Sequence, residues 1–249
     1  MNVYGIIPAR LNSTRLPRKL LLCDTGRPLI EYTWRAASRA RSLKQVIVAA
    51  DSHEFVPVVN AFGGRCELTG EHPSGTDRVA EIARRYCPDG EIFVNIQGDE
   101  PEINPENIDA LVRTLKECPE AEMATLACPI VHLDQVNASS CVKVVVGRDG
   151  RALYFSRAAI PFCRDRDPAE ALITDQPWLL HVGLYAYRSD FLMKLTKMPP
   201  SRLEQLEKLE QLRALEAGGR IQVGIIDHHS VGIDTPDDYA HFVQRERAR

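Results

Sequence analysis

Val3-Tyr4-Gly5-Ile6-Ile7, running into Pro8-Ala9-Arg10-Leu11-Asn12-Ser13-Thr14-Arg15-Leu16-Pro17-Arg18-Lys19, decides how this chain is read. The opening residues are a short, uninterrupted apolar run, the pattern of a strand buried on both faces of a sheet. The segment behind it is basic. Residues 1–23 contain no Asp or Glu, yet they carry Arg10, Arg15, Arg18 and Lys19. In an open parallel sheet, ligands gather beyond the carboxyl ends of the strands. Four cations and exposed backbone N–H groups at such a place suit a polyphosphate; the alternative is a solvated basic loop. The segment is not a Gly-x-x-x-x-Gly-Lys loop, which excludes a Walker-type ATPase.

Outward from this stretch the pattern repeats. Leu29 to Arg41 reads as a helix behind Pro28, and Gln45 to Ala50 as a second buried strand. Val79, Ile82, Ala83 and Tyr86 recur at helical spacing, so 77–86 is an amphipathic helix with Ser74 or Thr76 as its cap. Ile92 to Ile96 is a third strand, and Asn104-Pro105 opens a helix to about Cys118. This alternation predicts a parallel sheet with helices on both faces. Further on, Cys141–Val146 and Arg151–Phe155 flank Gly147-Arg148-Asp149-Gly150 as a hairpin. His181–Tyr187 and Ile221–Ile226 read as strands, Leu203–Ala217 as one leucine-rich helix, and Pro236–Arg245 as the last helix. The expectation is a mostly parallel α/β fold in a single domain over 1–249, with an antiparallel elaboration at roughly 130–200.

Composition narrows the classes. The chain has 249 residues, 44% hydrophobic and 26% charged, an ordinary globular balance. A net charge of −3 disfavours a general nucleic-acid binder. No apolar run approaches a membrane span, and Pro8, Arg10, Arg15, Pro17, Arg18 and Lys19 break up any signal-peptide core. Seven scattered cysteines without Cys-x-x-Cys argue against a zinc site or disulfide framework and for reduced cytoplasmic thiols.

Asn95-Ile96-Gln97-Gly98-Asp99-Glu100-Pro101 also lies at a strand's carboxyl end, where Gly98 permits a tight turn. Asp99 is then placed with the basic loop. Carboxylates among cations make sense where Mg²⁺ bridges them to phosphate oxygens, which it usually does through one or two carboxylates. Asp234, in Gly232-Ile233-Asp234-Thr235-Pro236, is a second candidate ligand; the alternative for it is a plain helix N-cap.

Together these residues resemble the 3-deoxy-manno-octulosonate (Kdo) cytidylyltransferase family. The resemblance runs from Ile6 to about Asp238. It rests on Ile7-Pro8-Ala9-Arg10 with Ser13-Thr14-Arg15-Leu16-Pro17 and Lys19; on Ser74-Gly75-Thr76-Asp77-Arg78; and on Asn95 to Pro101. In the second half it rests on Ala152 to Arg157 with Ile160-Pro161, His181-Val182-Gly183-Leu184-Tyr185, Leu209-Glu210-Gln211-Leu212-Arg213, and Asp234-Thr235-Pro236. Each alone is weak, but their common order is specific. One departure stands out: the family commonly reads Leu-Pro-Gly-Lys-Pro-Leu, where this chain has Leu16-Pro17-Arg18-Lys19-Leu20-Leu21.

The resemblance implies a nucleotide-diphospho-sugar transferase-like fold, a homodimer, and the reaction CTP + Kdo → CMP-Kdo + pyrophosphate in lipopolysaccharide sugar supply. Under it, Arg10, Arg15 and Lys19 hold the triphosphate, with Arg10, Lys19 and Asp99 as the catalytic set, and Asp99 and Asp234 ligate Mg²⁺. Ser74, Gln97 and the Pro8-Ala9 backbone meet cytosine and ribose. Arg157 pairs with the sugar carboxylate, and His181, Tyr185, Glu210 and Gln211 meet its hydroxyls. Without the resemblance, Tyr185 reads as strand core, His181 as a satisfied histidine, and Glu210 and Gln211 as an exposed helix stripe. Competing functions are a synthetase for a sialic-type acid or an 8-amino analogue, a metal-dependent glycosyltransferase, and a non-catalytic nucleotide binder. Gln97-Gly98-Asp99-Glu100-Pro101 holds no Asp-x-Asp, which disfavours the glycosyltransferase.

Overall fold

Strand β1 (Val3–Ala9) is buried along almost its whole length. In the computed structural model, which describes residues 1–248, it is the pivot of the first of two compact units, Met1–Asp109 with Ser230–Arg249. After β1 and a single 3-10 turn at Lys19–Leu21 come α1 (Leu29–Ala37), β2 (Gln45–Ala50), α2 (Phe55–Ala61), β3 (Arg65–Leu68), α3 (Gly75–Tyr86) and β4 (Ile92–Asn95). The strands lie in the order β3-β2-β1-β4, and β1 pairs in parallel with both β2 and β4. Ile6, Ile7, Ile47, Val48, Ile92 and Val94 are fully enclosed, because parallel strands are covered on both faces. Helix α3 packs on β1, β2 and β4. Ser74 is its N-cap, its hydroxyl accepting from the Asp77 N–H, so the cap is Ser74 and not Thr76. The unit boundary falls inside α4 (Pro105–Glu117).

The second unit, Ala110–His229, holds β5 (Met123–Pro129), α5 (Leu133–Asn137), β6 (Lys143–Val146), β7 (Ala152–Ser156), α6 (Pro168–Thr174), β8 (Leu179–Arg188), α7 (Ser189–Leu195), α8 (Arg202–Glu207), α9 (Gln211–Glu216) and β9 (Ile221–Ile225). Strand β5 pairs antiparallel with β8 and parallel with β9, while β6 pairs antiparallel with both β7 and β8. The hairpin expected from Cys141–Val146 and Arg151–Phe155 is therefore present, as β6 and β7. Antiparallel pairing, expected at roughly 130–200, starts earlier, at Met123. The chain then re-enters the first unit and ends in α10 (Pro236–Arg247).

Three expectations need correction. The helix read over Leu29 to Arg41 ends at Ala37. Leu203–Ala217 is not one helix. Lys208 adopts φ 54°, ψ 49°, a left-handed conformation that ends α8 and lets the chain restart as α9. A capping box of Ser201 with Glu204 starts α8, and Arg213 ties α9 back to α8 by pairing with both Glu204 oxygens. The last helix also runs to Arg247.

Candidate active site

The carboxyl ends of β1 and β4 come together through a close backbone approach. A Cβ on Gly98 would lie 3.2 Å from the Pro8 carbonyl oxygen and 3.3 Å from Ile7 Cγ2, so only glycine fits there comfortably. Gly98 O accepts from the buried Thr33 hydroxyl at 2.9 Å, which fixes the turn. Asp99 is set just beyond, its own carbonyl accepting from Ile233 N–H at 2.9 Å. Through that bond the Asp99 turn and the segment leading to Asp234 are held side by side.

The charged residues converge on Lys19, which is 7% exposed. Its Nζ donates to Asp99 Oδ2 at 2.6 Å and to Asp234 Oδ1 at 3.0 Å. Arg15 Nη2 lies 2.9 Å from Asp234 Oδ2. A buried ammonium is tolerated because two carboxylates accept from it. The plain N-cap reading of Asp234 is overturned. The cap of α10 is Thr235, which forms a capping box with Asp238, so Asp234 precedes the cap and directs its carboxylate to Lys19 and Arg15. Arg10 is exposed and forms no ion pair among the described residues. The loop it starts is tied down by Leu11 N–H donating to Asp51 Oδ1 at 2.9 Å.

Ser74 and Pro8 are neighbours through Gly75, whose Cβ position lies 3.6 Å from Pro8 Cγ. The Ser74 hydroxyl is already engaged, donating to Asp77 Oδ2 at 2.7 Å. Sequence reasoning passed over Asn95, which is 4% exposed, and whose Oδ1 is buried with no hydrogen-bond partner among the described residues. A buried, unpaired amide is uncommon enough to mark a ligand-facing position. Its place near the carboxyl end of β4 was visible in the sequence; the lack of a partner on its Oδ1 was not. Glu100 was also missed: burial pushes its carboxyl up to about 7, although Ser230 Oγ donates to it at 2.6 Å.

In the second unit the residues expected to meet the sugar fall into two groups. Arg157 closes β7, with its backbone N–H on Glu207 Oε2 at 3.0 Å, Nε on the Glu207 carbonyl at 2.8 Å and Nη1 on the Ser139 carbonyl at 2.9 Å. Lys143, fully buried, donates to the carbonyls of Ala138, Cys141 and Arg157, so the backbone beneath Arg157 is pinned as well. His181 and Tyr185 stand on β8 with ring centroids 5.4 Å apart. Burial, with the nearby Tyr187 and Glu210, raises the Tyr185 phenol well above its usual range. Burial alone pushes the His181 imidazole down to about 3. Gln211, at the start of α9, is 4% exposed and its Nε2 has no hydrogen-bond partner among the described residues. The break at Lys208 takes Gln211 out of the exposed stripe that one continuous helix would have given it.

The sequence profile of the cytidylyltransferase family matches residues 4–221. A 3-deoxy-manno-octulosonate cytidylyltransferase of Rhodopirellula baltica is 46% identical over 248 residues, 98% of each chain. The enzyme of the same name from Syntrophobacter fumaroxidans is 48% identical over 241 residues, 96% of this chain and 94% of that one. The chain belongs to the 3-deoxy-manno-octulosonate cytidylyltransferase family. It is a nucleotidyltransferase by that membership. A solved structure of a CMP:2-keto-3-deoxy-manno-octonic acid synthetase complexed with CTP superposes with a TM-score of 0.92 at 36% identity, covering 100% of this chain and 99% of that one. A 4-diphosphocytidyl-2C-methyl-D-erythritol synthase from Anaerococcus prevotii, at 13% identity and a TM-score of 0.62, shares the fold. None of the described helices is long and apolar enough to cross a membrane.

Proposed function

We propose that this protein transfers CMP from CTP to the anomeric hydroxyl of 3-deoxy-manno-octulosonate and releases pyrophosphate. The observation that carries the reading is the Lys19 clasp on Asp99 and Asp234, in a chain alike over nearly its full length to enzymes of that name. The sugar oxygen bonds to the α-phosphorus as the bond to pyrophosphate breaks. Negative charge grows on the bridging oxygen and the phosphoryl oxygens, so catalysis is positioning plus neutralisation. Arg10, Arg15 and Lys19 supply the cations for the triphosphate. Ser74, Gln97 and the Pro8-Ala9 backbone meet the nucleoside, and Asn95 joins them as an unpaired buried amide.

Asp99 and Asp234 fit Mg²⁺, because their hard oxygen donors already converge on one cationic point, the Lys19 ammonium. When bound there, the ion neutralises α-phosphate charge and lowers the pKa of the attacking hydroxyl. In the second unit, Arg157 keeps Nη2 for the sugar carboxylate, and His181, Tyr185, Glu210 and Gln211 take the hydroxyls. The product's place is lipopolysaccharide sugar supply. A cytoplasmic site of action is supported by seven free cysteines, and a homodimer by the exposed apolar Phe162 and Ile173.

The test is pyrophosphate release with CTP, Mg²⁺ and a panel of acidic sugars including Kdo, its 8-amino analogue and a sialic acid. Turnover with Kdo well above the others is expected. Preference for another acid, or CTP hydrolysis indifferent to sugar, rejects the assignment.

A further inference from the structure

Thr125 lies at the centre of β5, fully buried, beside an irregularity in its pairing with β8. The register passes from Thr125↔Tyr185 to Leu126↔Val182, so Gly183 and Leu184 fall inside a bulge. Bulges interrupt the ladder and turn backbone groups aside. Here the Thr125 hydroxyl meets two carbonyls, one inside the bulge and one at its edge. Oγ1 lies 2.9 Å from Leu184 O and 3.1 Å from Val182 O. Its third neighbour is His181 Nε2, at 3.0 Å.

A hydroxyl has one proton, and carbonyl oxygens only accept. The Thr125 proton is therefore shared between the two carbonyls, and the remaining neighbour, His181 Nε2, must be a donor. Were His181 Nε2 bare, Oγ1 would face three acceptors with one proton. The ring must carry its proton on Nε2 and donate to Thr125. Its pKa near 3 keeps a second proton off at neutral pH. Phe155, edge-on at 5.0 Å between ring centres, and Tyr185 hold the ring in place.

The geometry points to Thr125 as a positioning residue that locks His181 as the neutral Nε2–H tautomer and leaves Nδ1 as a pure acceptor. This rests on the reading of His181 as a sugar contact and deepens it: the group received at Nδ1 must be a hydroxyl donor, not the sugar's carboxylate. An imidazolium would favour the carboxylate; a neutral ring with bare Nδ1 repels it.

The test begins with the unliganded protein, labelled with ¹⁵N-histidine. Long-range ¹H–¹⁵N correlation should show His181 with a protonated Nε2 and an unprotonated Nδ1 at neutral pH. Thr125→Val should shift that signature toward a tautomer mixture and raise the KM for Kdo roughly tenfold, while leaving the KM for CTP within about twofold. Thr125→Ser, which keeps the hydroxyl, should restore both. A protonated Nδ1 in the wild-type spectrum overturns the lock, whether or not Thr125→Val folds. If His181→Ala and Thr125→Val both leave the KM for Kdo unchanged, the sugar-contact reading fails. If His181→Ala raises it and folded Thr125→Val does not, the positioning role fails.

Discussion

Around Lys19, charge is met by charge: one buried ammonium donates to two carboxylates, and Arg15 balances the second of them. Around His181 no ion pair reaches the ring among the described residues; its bond runs to a hydroxyl and onward to carbonyls, and burial keeps it neutral. Each arrangement suits a different kind of guest. A triphosphate brings several negative charges and can take over cations already held in place by exchangeable carboxylates. A polyhydroxylated sugar brings weak donors and acceptors, and is better discriminated by dry, pre-directed neutral groups. Their value lies in what a wrong ligand leaves unpaired.

The comparison is broken most forcefully at Asp99. Asp99→Asn keeps the shape and one acceptor but removes the charge that Lys19 meets and that the proposed Mg²⁺ would need. Turnover should fall by orders of magnitude with the fold intact by circular dichroism. Near wild-type pyrophosphate release at saturating Mg²⁺ would show that the ionic cluster is structural. The next effect belongs to Arg157, the charged member of the neutral region. Arg157→Ala should raise the KM for Kdo by roughly ten- to a hundredfold with little change for CTP. Because Nε and Nη1 hold the Glu207 and Ser139 carbonyls, the variant should also melt earlier. Equal losses for both substrates would make the arginine purely a brace.

Acid sets the neutral region against Glu81, a carboxylate of α3 that belongs to neither region. His181 has its pKa lowered from 6.5 to about 3, so an unfolded chain binds that proton first and stability is lost as pH falls from about 6.5 toward 3. Glu81 behaves alike in sign but lower in window. Burial pushes it up, yet His72, Arg85 and the Gly70 N–H together hold it at about 2, so its contribution is lost between about 4.5 and 2. Thermal midpoints followed across pH should therefore show His181→Gln flattening the upper part of the decline and Glu81→Gln the lower. Were His181→Gln to leave the slope between pH 6.5 and 4.5 as it is, the surroundings of His181 would not be what holds its ring neutral.

The ionic region was also the legible one. Arg10, Arg15, Lys19 and Asp99 follow strands whose apolar runs are plain in the sequence, and local order alone puts them at strand ends. The neutral region depends on features no local pattern announces. Strand β5, with Thr125, was not recognised, and its bulge exists only as a relation between two strands. The helix break at Lys208 is carried by a residue with no preference for the left-handed region, so Gln211 read as helix surface although it is buried. Whether Asp234 was the cap of α10 was left open by the sequence, and the capping box on Thr235 decides that it is not.

The smallest effect is expected at Arg18, where this chain parts from the usual glycine. The backbone explains the glycine: Arg18 sits at φ 57°, ψ 24°, in the left-handed region that glycine enters without a Cβ clash. The side chain turns to Glu54, Nη1 on Oε1 at 3.2 Å and Nη2 on Oε2 at 2.5 Å, with both groups about half exposed. Its cation is thus already paired, and it stands apart from the carboxylates that Lys19 engages. Arg18→Gly loses an exposed ion pair, which is worth little, and relieves the strained backbone, so the thermal midpoint should hold or rise. Arg18→Val keeps the strain, adds a β-branch and loses the pair, so it should melt earlier than wild type. CTP affinity by titration calorimetry should be nearly the same for Arg18→Gly and wild type at low and high salt. A loss of roughly tenfold or more that narrows with salt would instead make Arg18 a phosphate ligand drawn off Glu54 by CTP, and would extend the ionic region by one more exchangeable cation.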